Sequence, residues 1–300
     1  MPKSEPDTPV SAAGAIHDIG YRHYDGPRLG ASYIRRSLFV ETLRGAYGLG
    51  RSARSKVMPF LLLGVMLLPA VVMSIVTGYF GFDSLPVRYT EYPILLQVAV
   101  TIFLGAQAPA VMSRDLRFRV APRYFSRPVS RQQYVQAKFA GLAVALLILM
   151  GLPTPVLLAG ALLAELPVGE QLPDYLRAMG GVAIYSVVLA GVGLVIAAMT
   201  PRRGLGVAAV VGVLLVLSGL RAAVGEMARE FGNATFEGYT GLISPFTLVD
   251  GVVTGVLRAE PTIGEGPPGT LGIVVFAAVA VLLVAGCYAA LISRYRKALS

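Results

Sequence analysis

The residues best equipped for specific chemistry lie in the stretch 113–138, SRDLRFRVAPRYFSRPVSRQQYVQAK. Seven lysines and arginines stand there against a single acid, Asp115. Guanidinium forks and aromatic rings recognise carboxylates, phosphates and complementary surfaces, so the chemistry on offer is recognition rather than bond-making. The stretch is also punctuated. Ser130, followed three residues later by Gln133, forms an S-x-x-Q capping box and predicts a helix from about Arg131 through Tyr134 and Lys138. The helix entering the stretch is expected to continue through Asp115 and Leu116 and to break at Pro122. Between the two helices lies APRYFSRPV, with two prolines, two aromatics and two arginines. A loop that merely holds charge needs no such punctuation. On the residues alone two readings stand: a docking surface for a cytoplasmic protein, or a basic loop gripping anionic lipid headgroups.

Other candidates for chemistry are sparse. His17 and His23, with Asp18 and Asp25 in IHDIGYRHYDG, could form a metal site. The plainer reading makes them surface residues of an arm that packs on a partner or on the helix that follows. There is no HExxH, no Cys/His set at metal spacing and no nucleophile elbow. Glu226, Glu230 and Glu237 have no evident basic or histidine cluster to work with. No GxxxxGK[ST] phosphate loop occurs, and the glycines of GLG at Gly204 and GVG at Gly191 lie at or inside apolar runs, where glycine means close helix packing. No catalytic, cofactor-binding or metal-binding residue is therefore expected on this chain.

The elements that must position the basic stretch are apolar. Hydrophobic residues make up 55% of the chain, charged residues 14%, and the mean hydropathy is +0.67. A soluble domain carries roughly 25% charged residues. Six runs without Asp, Glu, Lys, Arg or His approach the length of about 20 residues that crosses a bilayer: 57–80, 94–112, 139–164, 180–199, 204–220 and 271–292. The fifth is shortest and extends to Ala223 if Arg221 snorkels to the interface. The runs are continuous rather than alternating, which excludes a transmembrane β-barrel. The expected fold is an all-α membrane protein with six transmembrane helices.

Charge sets the expected topology. The arm to Lys56, the stretch 113–138, the turn 201–203 and the tail 293–300 hold 21 of the 26 basic residues, while the opposite segments hold 11 of the 17 acids. That bias puts both termini in the cytoplasm. It also accounts for most of the net charge of +9, so nucleic-acid binding is not expected. No cleavable signal peptide is expected in residues 1–30, a polar cytoplasmic arm. The lone Cys287 permits no internal disulfide. Arginine outnumbers lysine 22 to 4, which hints at a bacterium with a GC-rich genome.

Two further helices are expected outside the spans. Within 31–56, Leu38, Phe39, Leu43, Ala46 and Leu49 gather on one side, with Arg36, Glu41 and Arg44 opposite. This amphipathic helix either lies in the membrane interface or packs on the cytoplasmic ends of the spans. In the long outer segment 221–270, Ser244 followed by Pro245 marks a helix start. The helix PFTLVDGVVTGVL is too short to span, at roughly 20 Å, and reads as re-entrant or interfacial. Gly251 and Gly255 form a GxxxG there. Pro59, Pro69, Pro109, Pro153 and Pro155 kink the spans or shape a pathway. The spans offer only neutral polar groups for such a pathway, among them Gln97, Thr101, Gln107, Tyr185, Ser186 and Ser218. Ion-coupled carriers place charges inside the bilayer, so an apolar or amphipathic substrate fits better. Gln97 and Gln107 serve equally well as interhelical hydrogen-bond partners.

R-P-V-S-R-x-x-Y-V-x-x-K, at residues 127–138, resembles the cytoplasmic loop after the second span in permease subunits of bacterial type-2 ABC transporters, an exporter family. The layout from about Gly26 onward is similar to that family's. The resemblance implies that the loop is a coupling element inserted into a groove of a separate ATP-binding subunit. Arg119, Pro122, Arg123, Tyr124, Phe125, Ser126 and Arg127 would form the contact. It also implies two ATPase subunits that carry ATP and Mg, and a second permease, identical or homologous. The chain itself would catalyse nothing, and would sit in a bacterial cell membrane in contact with its lipids. Two other classes stay open: a scaffold or sensor paired with such an ATPase, and a polytopic lipid-modifying enzyme.

Overall fold

The computed structural model describes Gly26 and residues 30–117, 130–200 and 202–297. Among the described residues every regular element is a helix. In chain order these are α1 (Ala31–Ala46), α2 (Ala53–Phe80), α3 (Tyr92–Leu95), α4 (Gln97–Arg117), α5 (Arg131–Gly151), α6 (Pro153–Leu163), α7 (Val168–Met199), α8 (Arg203–Glu230), α9 (Ala234–Thr240), α10 (Pro245–Leu257) and α11 (Gly269–Lys297). Five helices are long and apolar enough to cross a membrane: α2, α5 with α6, α7, α8 and α11. Large apolar side chains such as Leu61, Leu68, Val216 and Leu282 are exposed on the flanks of α2, α8 and α11. Water would not tolerate so much apolar surface, and lipid would. These are the features of an α-helical membrane protein.

The second apolar run folds differently from the rest. A turn at Leu96 separates the short α3 from α4, and the apolar part of α4, Gln97–Met112, is shorter than the five long helices. The outer segment supplies another unusual element. α9 and α10 meet at 118° and count together as a broken span or a re-entrant loop. α10 is the helix expected at Pro245, yet the hydroxyl of its N-cap residue, Ser244, makes no cap bond. It lies 3.2 Å from the Ser218 hydroxyl of α8 and so fastens two helices together. Every residue from Pro245 to Val253 is buried, which makes α10 an interior element.

Proline and glycine set the joints. Pro153 and Pro155 split the third run at Leu152 into α5 and α6. Pro155 has no N–H to donate to the Gly151 carbonyl, and the Thr154 hydroxyl donates to that carbonyl instead, at 2.9 Å. Pro59 and Pro69 leave α2 unbroken. Between α1 and α2 the chain turns through Gly48, at φ +66°, where a β-carbon would run into the Ser55 carbonyl. That turn ends α1 at Ala46, so Leu49 leaves the apolar face and is exposed, contrary to expectation.

α7 is the central helix, in contact with α4, α5, α6, α8, α10 and α11. It begins twelve residues before its apolar run, because Glu170, Asp174 and Arg177 extend the helix beyond the bundle's apolar part. α8 likewise runs past its expected end. Arg221 does not snorkel outward: it is buried and donates to the Ile263 carbonyl at 3.0 Å. Contacts within the bundle are close. A β-carbon on Gly193 of α7 would lie 2.6 Å from Leu104 of α4, and one on Gly141 of α5 would lie 2.7 Å from Thr42 of α1.

That last contact yields a test of the α1 packing. Gly141→Leu should push α1 off α5 and cost about 1–3 kcal/mol through overpacking. The expected result is a lower melting midpoint in detergent and faster proteolysis at α1. Gly212→Ala, at a position with nothing within 4 Å, should leave proteolysis at α1 unchanged and keep or raise the midpoint, since alanine suits a helix interior better than glycine.

Candidate functional site

The basic stretch begins at the end of α4 and ends at the start of α5, and both ends are held by the last helix. At the α5 side the capping box is complete. The Gln133 N–H donates to the Ser130 hydroxyl at 3.2 Å, and the Ser130 N–H donates to Gln133 Oε1 at 3.1 Å. One turn on, the ring of Tyr134 packs edge-on against Tyr295 of α11, with centroids 5.3 Å apart. The Tyr295 hydroxyl then donates to Sδ of Met112 on α4, at 3.0 Å. Met112, Tyr134 and Tyr295 are all fully buried. Lys138 is buried beside them, with its ammonium 5.7 Å from the centre of the Tyr134 ring, within the reach of a cation–π contact.

α1 is fastened to the same region. Thr42 packs on Gly141, and the hydroxyl of Tyr47 donates to the Ala145 carbonyl at 2.7 Å. The Tyr47 ring also packs on Phe103 of α4, 5.7 Å between centroids. Burial pushes the Tyr47 phenol above its ordinary pKa, so it remains a donor. α1 packs on the bundle, with Leu38, Thr42 and Ala46 buried. The result is one apolar, aromatic cluster joining α1, α4, α5 and α11 at the end of the bundle that carries the basic stretch.

Arg119, Pro122, Arg123, Tyr124, Phe125, Ser126 and Arg127 lie outside the described residues, as do His17, Asp18, His23 and Asp25. Of the polar residues in the spans, Gln97 stands half-buried at the start of α4, and Thr101 and Gln107 are buried further along it. Tyr185 and Ser186 are buried on α7. The Tyr185 hydroxyl donates to the Phe246 carbonyl of α10 at 3.1 Å, and the Ser186 hydroxyl to Val182 of its own helix at 2.7 Å. An apolar groove of about 760 Å³ runs between α5, α7, α10 and α11, lined by residues such as Phe139, Val187, Val252 and Val284. None of the five polar residues lines it.

One reading of the outer carboxylates needs correction. Glu237 and Glu226 do have a basic partner. Arg229 reaches Glu237 at 2.8 Å and Glu226 at 3.1 Å, because the chain folds back between α8 and α9. The Glu226–Arg229 spacing of three on one helix was a usable signal for half of this arrangement. Tyr295 gave a weaker one, as an aromatic at the polar end of a span. No protein-family model and no characterised protein matches the sequence.

Removing the central ring tests the cluster. Tyr295→Ala should cost roughly 2–4 kcal/mol of stability, the usual range for truncating a buried aromatic. Tyr295→Phe keeps the ring and loses only the bond to sulfur, so its thermal midpoint in detergent should lie close to that of the unaltered protein. Equal losses in the two variants would show that the hydroxyl, not the ring, holds the helix ends.

Proposed function

We propose that this chain is the transmembrane permease subunit of an ATP-driven type-2 ABC transporter. In this reading it exports a hydrophobic or amphipathic substrate, such as a lipid, a drug or an antibiotic-like molecule. A separate ATPase, present in two copies and carrying ATP and Mg, supplies the energy. A second permease, identical or homologous, completes the pathway. α4 counts as a span beside the five long helices, giving six. Both termini and the basic stretch face the cytoplasm of a bacterial cell, and α9 with α10 forms a re-entrant element on the opposite side.

The observation that carries this reading is the clamp of Met112, Tyr134 and Tyr295. A partner that pulled or pushed the basic stretch would move α4, α5 and α11 together, which is what a motor on a separate subunit requires of the membrane half. Exposed apolar flanks on α2, α8 and α11 support contact with lipid or a second permease. The neutral spans support an apolar cargo.

Replacing Arg123, Tyr124 and Phe125 together with alanine should abolish co-purification of a co-expressed ABC ATPase while leaving membrane insertion intact. Survival of the complex with coupled ATPase activity would overturn the assignment of the contact residues. In vesicles, ATP-dependent accumulation of substrate on the far side distinguishes a transporter from a scaffold that uses the same ATPase.

A further inference from the structure

At the end of the bundle opposite the basic stretch, three chain segments enclose a polar cavity of about 280 Å³. They are the connection after α2, the first turns of α7, and the exit from α10. The opposite-end segments of this chain hold only five arginines, and three of them, Arg88, Arg177 and Arg258, line this one cavity. Two are already engaged. Arg88 is paired with Glu91 and Glu260, and donates to the Pro261 carbonyl at 3.2 Å. Arg177 is paired with Asp174. Arg258 has no ion-pair or hydrogen-bond partner for its side chain among the described residues.

The backbone at Arg258 is unusual as well. It caps α10 in the left-handed region, at φ 57° and ψ 38°, with its N–H bonded to the Val253 carbonyl. Glycine is the residue that suits this cap, and a side chain there is disfavoured sterically. Arg258 is exposed and lines the cavity.

The walls are firm. The Tyr89 hydroxyl donates to Gln171 Oε1 at 2.8 Å, and its ring packs edge-on to Tyr175 at 6.3 Å. Burial and the charge of Asp174 push the Tyr89 phenol up to about 12, so it stays neutral. Just before the cavity, α2 ends in a group of exposed rings. Tyr79 lies 5.1 Å from Phe80, and Phe80 lies 6.0 Å from Phe82. An exposed tyrosine, Tyr79, at the end of a span is typical of the headgroup level, and the cavity follows directly after it in the chain. With Arg88 shared between Glu91 and Glu260 and Arg177 paired with Asp174, Arg258 is the lining cation with no carboxylate of its own, a match for a singly charged phosphodiester.

We propose that this cavity binds the phosphodiester headgroup of a membrane phospholipid, with Arg258 as the residue that contacts the phosphate. The proposal needs no ATPase partner and stands apart from the transport reading. Binding is read by native mass spectrometry on the full chain in a neutral detergent, with phosphatidylglycerol and diacylglycerol as probes. The unaltered protein should retain phosphatidylglycerol in preference to diacylglycerol, which lacks the phosphate. Arg258→Gly should weaken that retention by roughly tenfold or more, the effect of losing a charge-assisted contact. Its thermal midpoint without lipid should stay level or rise, because glycine suits the cap. Should Arg258→Gly not fold, Arg258→Asn, which also tolerates this conformation, serves in its place. Equal retention by variant and unaltered protein, or equal retention of the two lipids, would overturn the proposal. Displacement of the lipid by millimolar inorganic phosphate would make this a site for soluble phosphate and overturn the lipid assignment.

Discussion

The core of this fold depends on how closely the helices approach one another, chiefly around α7. Inside hydrocarbon each helix must satisfy its own backbone. Leucine against leucine then gains little over leucine against lipid, so association rests on tight contact and a few shared polar groups. The chain meets that constraint with small residues at the crossings. Gly193 lets Leu104 of α4 lie against the α7 backbone, and Gly181 admits Val253 of α10. Gly251 and Gly255 do the same for Phe276 and Ile273 of α11, so the GxxxG of α10 works as a packing face. Where polar side chains take part they serve as fasteners: Ser74 of α2 donates to the Val156 carbonyl of α6 at 3.2 Å, against Gly160.

The two ends of the bundle are built from different materials. The end with the basic stretch is held by rings and a thioether, with Lys138 buried among them. The opposite end is held by charge. Arg221 is buried and donates to Ile263, Arg229 holds the buried Glu237, and Asp250 accepts from both the N–H and the hydroxyl of Thr262, at 3.1 and 2.7 Å. Charges removed from water need such partners, and an incomplete set costs stability. Nε of Arg221 has none in the structure. A network of this kind tolerates little displacement, because each broken bond leaves a buried charge exposed to apolar surroundings.

Much of this was legible in the sequence, for identifiable reasons. Apolar runs longer than a core helix admit one architecture, and the Ser130–Gln133 box and the Ser244–Pro245 start are local signals that tertiary structure left in place. Helix ends were harder. Glu170, Asp174 and Arg177 interrupt hydropathy but not helical geometry, so α7 begins well before its apolar run. The burial of Arg221 was invisible because its acceptor, Ile263, is 42 residues away. The clamp was hidden for the same reason: Tyr295 and Met112 are 183 residues apart and pair only once α11 returns to the start of the basic stretch. Residue spacing reports what one helix does; it does not report which helix comes back beside it.

The break at Leu152 gives this arrangement its mechanical division. α2 packs chiefly on α6, whereas α1, α4 and α11 pack on α5 or on the central α7. α5 and α6 meet at the joint where Pro153 and Pro155 have already removed two helical hydrogen bonds. A bend there sacrifices less than a bend anywhere else in the third run, and the Thr154 hydroxyl keeps the Gly151 carbonyl satisfied. α5 is continuous from Tyr134 to this joint, so Leu152 is where the third run is most easily bent.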